Sequence, residues 1–254
     1  MNSNFVGEFS YQDGTSKALE PASSSIVMLE RLLARSECVK LVRNIPETAW
    51  VPVGQDGIRA NYKPAMSALG SFRASTYDET LANSLWNRVR PHLPDTRTFT
   101  RAANTDWDQH VTWRPVGVNP LLRFIRYEGE CLLVGHYDAP YIWNERRRTL
   151  MSLVIYLENR DLANPSGWWQ ESDKEEESVG ATRFLNDKQA SLPFAQRDFS
   201  DWTRPTRPED VEFVVKPELG KGLMFDHRLL HDAEKIPRRH RKIILRTDII
   251  FEKC

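Results

Sequence analysis

The sequence predicts a mainly β fold with helical support, its core a sandwich or barrel of the jelly-roll and cupin kind. Three observations carry that prediction. From Trp113 onward, short β-rich segments punctuated by Gly and Pro follow one another at 122–127, 131–134, 150–157, 181–185, 211–216, 222–226 and 242–251. Strands of this kind with turn signals between them are the pattern of a closed or two-layered β structure. Before Trp113 the apolar spacing is helical instead. No internal repeat and no second composition class divides the 254 residues, which are enough for one large core.

Residues 1–24 are polar and are expected to form a flexible N-terminus. The remainder, 25–254, reads as one domain with helical support over about 36–94 and a β core over about 113–251. Ile26–Leu33 suits either a strand or a helical turn. Ser36 is placed to cap a short helix, with Glu37 in its first turn and Pro46 near its end. A second helix starts at Thr76 or Asp78 and runs to Arg90. Leu81, Leu85, Trp86 and Val89 form its apolar stripe, and Pro91 and Pro94 close it. A long polar insert, Asn164–Val179, interrupts the strands; its acidic stretch from Glu171 to Glu177 reads as a solvated loop. Trp168 and Trp169, two large apolar residues in that polar loop, predict a mobile lid.

Charge and cysteine content exclude several classes. Lys plus Arg equals Asp plus Glu, 35 each, so no global field favours nucleic acid or an anionic membrane. Three cysteines, Cys38, Cys131 and Cys254, are odd in number and far apart, which suits a reducing compartment. No basic start precedes an apolar run, and no run approaches the roughly 18 apolar residues a membrane span needs. The expectation is a cytoplasmic domain without nucleic-acid or membrane partners.

The chemistry gathers at Gly135-His136-Tyr137-Asp138-Ala139-Pro140. In extended chain, residues two apart point the same way, so His136 and Asp138 can converge on one point. His231, from a distant segment, would complete two imidazoles and one carboxylate on a single face. That donor set holds Fe(II) in non-haem oxygenases and leaves positions open for a cosubstrate and O₂. His227 competes for the distal place, four residues earlier in Phe225-Asp226-His227-Arg228-Leu229-Leu230-His231.

The order of segments around these residues is itself informative. Val116–Tyr127 leads into His136 and Asp138; Thr149–Asn159, Gly180–Leu185, Lys216–His231 and Lys242–Ile249 follow. Over about residues 113–251 this resembles the 2-oxoglutarate- and Fe(II)-dependent oxygenases of the prolyl-4-hydroxylase-like group. The resemblance implies a double-stranded β-helix with iron at one end, held by His136, Asp138 and His231, with His227 in a supporting place. It implies Fe(II), 2-oxoglutarate and O₂ as cofactor and cosubstrates, with ascorbate a further candidate. Related halogenases have a small residue where Asp138 stands, so hydroxylation, desaturation or oxidative ring closure is implied instead. Tyr127 and Tyr156 match positions lining the 2-oxoglutarate pocket, and Arg123 shares strand parity with Tyr127. Ser178-Val179-Gly180 departs from the Gly-Gly usual in relatives before the strand that here reads Ala181-Thr182-Arg183-Phe184.

Relatives anchor the far carboxylate of 2-oxoglutarate with a Lys or Arg about ten residues past the distal histidine. Arg241, Lys242 and Arg246 fall in range. Strand alternation puts Lys242, Ile244, Arg246 and Asp248 on one face and Arg241, Ile243 and Leu245 on the other. With one extra residue in 236–241, the resemblance aligns Lys242 and Arg246 with the inward positions, one binding the far carboxylate and the other supporting 2-oxoglutarate or substrate, Arg246 being suited to the stronger, bidentate contact. The function expected is hydroxylation of a free amino acid or other small metabolite, with release of succinate and CO₂. Two other readings stand beside it: a peptidyl-prolyl hydroxylase, and a metal-binding cupin enzyme that does not use 2-oxoglutarate. A third, a non-catalytic descendant used for binding, conflicts with the intact ligand set.

Overall fold

The computed structural model describes residues 18–19, 25–53, 70–98, 111–162, 179–192, 196–198 and 205–254. The elements, in chain order, are β1 (Ala18–Leu19), β2 (Ile26–Leu29), α1 (Arg35–Asn44), β3 (Val51–Pro52), β4 (Ser71–Tyr77) and α2 (Glu79–Val89). Then come β5 (Arg97–Thr98), β6 (Thr112–Val118), β7 (Leu121–Glu128), β8 (Leu133–His136), β9 (Ile142–Asn144) and β10 (Arg147–Asp161). The last five are β11 (Thr182–Leu185), β12 (Val211–Val215), β13 (Gly222–Asp226), β14 (His231–Ala233) and β15 (His240–Lys253). Insert residues Trp168 and Trp169 lie outside the described residues, as does the N-terminal stretch before Ala18.

Two antiparallel sheets face each other. The larger runs β1-β2-β13-β10-β15-β7-β4-β3, with β6 also on β15; the smaller runs β12-β11-β14-β8. Within them, β7, β15, β10 and β13 form one four-stranded layer and β8, β14, β11 and β12 the other. From β7 onward the chain passes repeatedly between layers, which is the double-stranded β-helix.

Alternation along the two longest strands explains the layering. On β10, Leu153, Ile155 and Leu157 join Ile243 and Leu245 of β15 in a core shared with α1 and α2. The intervening Val154, Tyr156 and Ile244 instead pack with Tyr127, Phe184, Leu223 and Phe225 between the sheets. Every second residue of β15 therefore points into the barrel, so Lys242, Arg246 and Asp248 share the face of Ile244.

The helices cover the outer face. Cys38 and Leu41 of α1 and Leu81, Ala82, Leu85 and Val89 of α2 are buried there. The first helix begins one residue before Ser36, with Ala34 at its cap. Glu37 Oε2 accepts the Ala34 N–H at 2.8 Å, so a first-turn carboxylate satisfies the donor of the cap residue itself. Asp78, one of the two expected starts, caps the second helix by accepting the Leu81 N–H at 2.8 Å. The same Glu37 binds Arg88 of α2 twice, at 2.8 and 3.0 Å, and Arg88 also donates to the Leu32 carbonyl at 2.8 Å. Ile26–Leu29 resolves as a strand, paired to β13.

Candidate metal centre and the barrel interior

The local geometry of the three candidate ligands comes from two short strands of the smaller sheet. His136 ends β8 and His231 begins β14, and the two are direct partners in the antiparallel register. Asp138 follows two residues beyond His136, its N–H donating to the His227 carbonyl at 3.1 Å. His136 Nε2 lies 3.8 Å from Asp138 Oδ1, and His231 Nε2 lies 3.8 Å from Oδ2. The three donor atoms lie within 4.8 Å of one another. Donors sharing one ion at about 2.1 Å sit about 3–4 Å apart, so a small inward closure completes the set.

The tautomers suit a metal. Each histidine places Nδ1 2.9 Å from a backbone carbonyl, Val134 for His136 and Leu229 for His231. A carbonyl can only accept, so Nδ1 carries the proton and Nε2 offers its lone pair inward. Burial lowers both imidazoles, His136 to about 3, with His231 adding to that shift. Burial alone would raise the Asp138 carboxyl, but the Arg246 guanidinium holds it well below the usual range. Two neutral imidazoles and one ionised carboxylate therefore meet at one point, which is the protonation state metal binding requires. Phe225 stands edge-on to His231 with ring centroids 4.6 Å apart, giving the site an apolar wall.

His227 lies apart from this set. Buried to 3% exposure, it turns its Nε2 to Asp248, 3.3 Å from Oδ1.

Deeper on the inward face of β15 is Lys242, directly opposite Tyr127 of β7. It is 1% exposed; its Nζ donates to the Gly180 carbonyl at 2.7 Å and lies 4.6 Å from the Tyr127 ring centroid. Gly180 has φ 73°, a backbone conformation that side-chain-bearing residues rarely adopt, and in it the Gly180 carbonyl meets the ammonium. Among the described residues no carboxylate lies within ion-pair distance of Lys242. Burial drives its pKa down to about 8, against the smaller opposing effects of Cys131, Glu234 and Asp232. Tyr156, buried on the neighbouring strand β10, donates to Thr182 Oγ1 at 2.8 Å. Burial raises both Tyr127 and Tyr156, so both stay protonated donors at neutral pH.

Arg241 points to the opposite face of β15. Its Nε donates to the buried Glu158 at 2.5 Å and its Nη1 lies 3.8 Å from Glu128. Arg246 points inward, but its nearest partner is the candidate ligand itself: Nη2 lies 2.6 Å from Asp138 Oδ1. Two partners of Asp138 were not foreseen in the sequence, this one and Ser152, whose hydroxyl donates to Oδ2. Arg123, across the strand pair from Arg246, is ion-paired to Asp248.

Fold and site together define a double-stranded β-helix carrying a candidate two-histidine, one-carboxylate metal centre. No protein-family model and no curated protein sequence matches the chain. Solved structures do. A prolyl hydroxylase from Trichoplax adhaerens, in complex with a hypoxia inducible factor oxygen degradation domain peptide fragment, is 14% identical with a TM-score of 0.50, covering 89% of this chain and 84% of its own. That likeness supports the shared fold. The viral collagen prolyl hydroxylase of Paramecium Bursaria Chlorella virus-1 is 13% identical with a TM-score of 0.44, covering 90% and 97%. HygX from Streptomyces hygroscopicus, solved with nickel and 2-oxoglutarate, is 10% identical with a TM-score of 0.48, covering 90% and 82%. No helix among the described residues is long and apolar enough to cross a membrane.

Proposed function

We propose that the chain is an Fe(II)- and 2-oxoglutarate-dependent oxygenase that hydroxylates a small molecule. The observation that carries this reading is one interior holding both a candidate ligand triad and a buried cation with no carboxylate at ion-pair distance among the described residues. His136, Asp138 and His231 would hold the metal, and Lys242 would receive the far carboxylate of 2-oxoglutarate. Leaving a buried ammonium without an anion costs several kcal/mol on an order-of-magnitude scale, and a dicarboxylate removes that cost. Lys242 and Arg246 are four residues apart on one strand face, so their Cα atoms are about 13 Å apart, room for a five-carbon diacid between the lysine and the triad.

Iron and 2-oxoglutarate held there would supply the activation of O₂ that no side chain can provide. The balance is one C–H bond, one O₂ and one 2-oxoglutarate consumed for one hydroxyl group, one succinate and one CO₂. The protein's own residues orient and exclude water. Nδ1–H bonds to Val134 and Leu229 fix the imidazoles, Tyr127 packs over the Lys242 ammonium, and Phe225 and Phe184 wall the His231 side.

A peptide substrate is the second reading, favoured by one feature. Tyr141, Ile142 and Trp143, a few residues past Asp138, are 50%, 43% and 41% exposed, an apolar edge a peptide could lie against. Anaerobic Fe(II) and 2-oxoglutarate added to the protein should produce a weak visible charge-transfer band, since that band needs the cosubstrate chelated to iron. Its absence would refute the cosubstrate assignment. Stimulated succinate release across a panel of free metabolites and proline-containing peptides then separates the two substrates.

A further inference from the structure

The inward face of β15 carries more charge than cosubstrate binding needs. Arg246 and Arg123 are direct cross-strand partners, and like charges so placed repel. What holds them together is Asp248, which pairs with Arg123, lies 3.9 Å from Arg246 Nη2 and approaches His227 Nε2 at 3.3 Å. Asp248 is 1% exposed and its backbone is pinned by the Asn119 N–H at 2.8 Å, so this counter-charge cannot move away. The line of alternating charge then runs Arg123, Asp248, Arg246, Asp138, ending on the candidate ligand. No other carboxylate of the described residues stands closer to Arg246 than Asp138 does.

We infer that Arg246 is a positioning residue for the metal-ligating carboxylate, held by Asp248, rather than an anchor for 2-oxoglutarate. Arg246 takes Asp138 Oδ1 from one side while the Ser152 hydroxyl takes Oδ2 from the other, so the carboxylate plane is fixed before any ion arrives. Lys242 is left as the inward cation of β15 with no carboxylate at ion-pair distance among the described residues, and the two cations of this strand face have separate tasks. Without Asp248, Arg246 would face Arg123 with no intervening negative charge.

The inference rests on His136, Asp138 and His231 being metal ligands, and the experiment separates the two. Co(II) binding to the purified full chain is followed by visible absorption and calorimetry, and 2-oxoglutarate binding is then measured at saturating Co(II). Failure of the unaltered chain to bind Co(II) sinks both the ligand assignment and the inference. If it binds, Arg246→Gln should weaken Co(II) by about tenfold or more while changing 2-oxoglutarate affinity less than about threefold. Arg246→Lys, which keeps the charge, should recover most of that loss. Asp248→Asn should weaken Co(II) in the same direction with 2-oxoglutarate again unaffected, and it decides the matter should Arg246→Gln not fold. Unchanged Co(II) affinity in these variants, or a loss confined to 2-oxoglutarate, overturns the inference.

Discussion

His136 and His231 are cross-strand partners, with ring centroids 4.3 Å apart. Two of the three candidate ligands are therefore spaced by the hydrogen-bond register of β8 and β14. The third, Asp138, is tied to the turn before β14 through the His227 carbonyl. His227 supports the centre through its backbone, which side-chain truncation leaves in place. His136→Ala and His231→Ala should reduce iron-dependent turnover to background, whereas His227→Ala should retain activity within about tenfold of the unaltered chain. Iron content and succinate release check this; equal loss of iron in the His227 variant would reassign the ligands.

The two faces of β15 make opposite predictions for neighbouring residues. Lys242→Ala should weaken 2-oxoglutarate by roughly 10- to 100-fold, the range expected for a lost charge-assisted contact of about 1.5–3 kcal/mol. Arg241→Ala should leave that affinity alone, because its partners are Glu158 and Glu128 on the other side of the strand. Titrations of 2-oxoglutarate against both variants at saturating metal give the comparison. A loss confined to Arg241→Ala would mean that the strand is displaced by one residue.

Lys242 also fixes a pH window. Its folded-state pKa, lowered to about 8, lies below the 10.5 of the free side chain, so between these values the unfolded chain binds more protons. Stability contributed by this group therefore rises as pH goes from 8 to 10.5, and below 8 the buried charge is at its full cost. Binding runs the other way, since only the ammonium attracts a dianion: 2-oxoglutarate affinity should be flat below about pH 8 and fall above it. Lys242→Met should abolish that dependence and, at pH 7, leave stability unchanged or higher by on the order of 1 kcal/mol. Affinity that stays level from pH 7 to 10 in the unaltered chain would remove Lys242 from the pocket.

Away from the barrel interior, the Glu37–Arg88 pair joins α1 to α2, with 8% and 11% of the side chains exposed. Glu37→Ala removes both carboxylate contacts of a mostly buried guanidinium and the acceptor of the Ala34 N–H, so stability should fall by about 3 kcal/mol, while 2-oxoglutarate affinity is retained. Chemical denaturation and ligand titration of the same variant test both halves.

The β core was legible where strands are long. Segments such as 150–157 and 242–251 carry β-branched runs that only a buried strand explains, and the structure extends them to 147–161 and 240–253. Ser71–Tyr77 and Thr112–Val118 escaped notice because Ser, Arg, Thr and Pro dilute their apolar alternation. At three residues, β14 is too short for any period to register. Of the site, the pairing of His136 with Asp138 could be read from a spacing of two. The contact between Arg246 and Asp138 could not, since 108 positions separate them and charge alone names no partner. The cap of α1 was misplaced because Glu37, read as a first-turn charge, accepts the Ala34 N–H itself.

The alternation of β15 has a consequence for how this chain can vary over generations. A one-residue slip of β15 against β10 and β7 would turn the whole strand over, aiming Ile243 and Leu245 at the candidate triad and sending Lys242, Arg246 and Asp248 toward the helices. Such a slip displaces three interior charges at once, whereas any single substitution displaces one. Lineages of this protein should therefore hold the number of residues from Lys242 to Asp248 constant, while the loop before the strand can change in length.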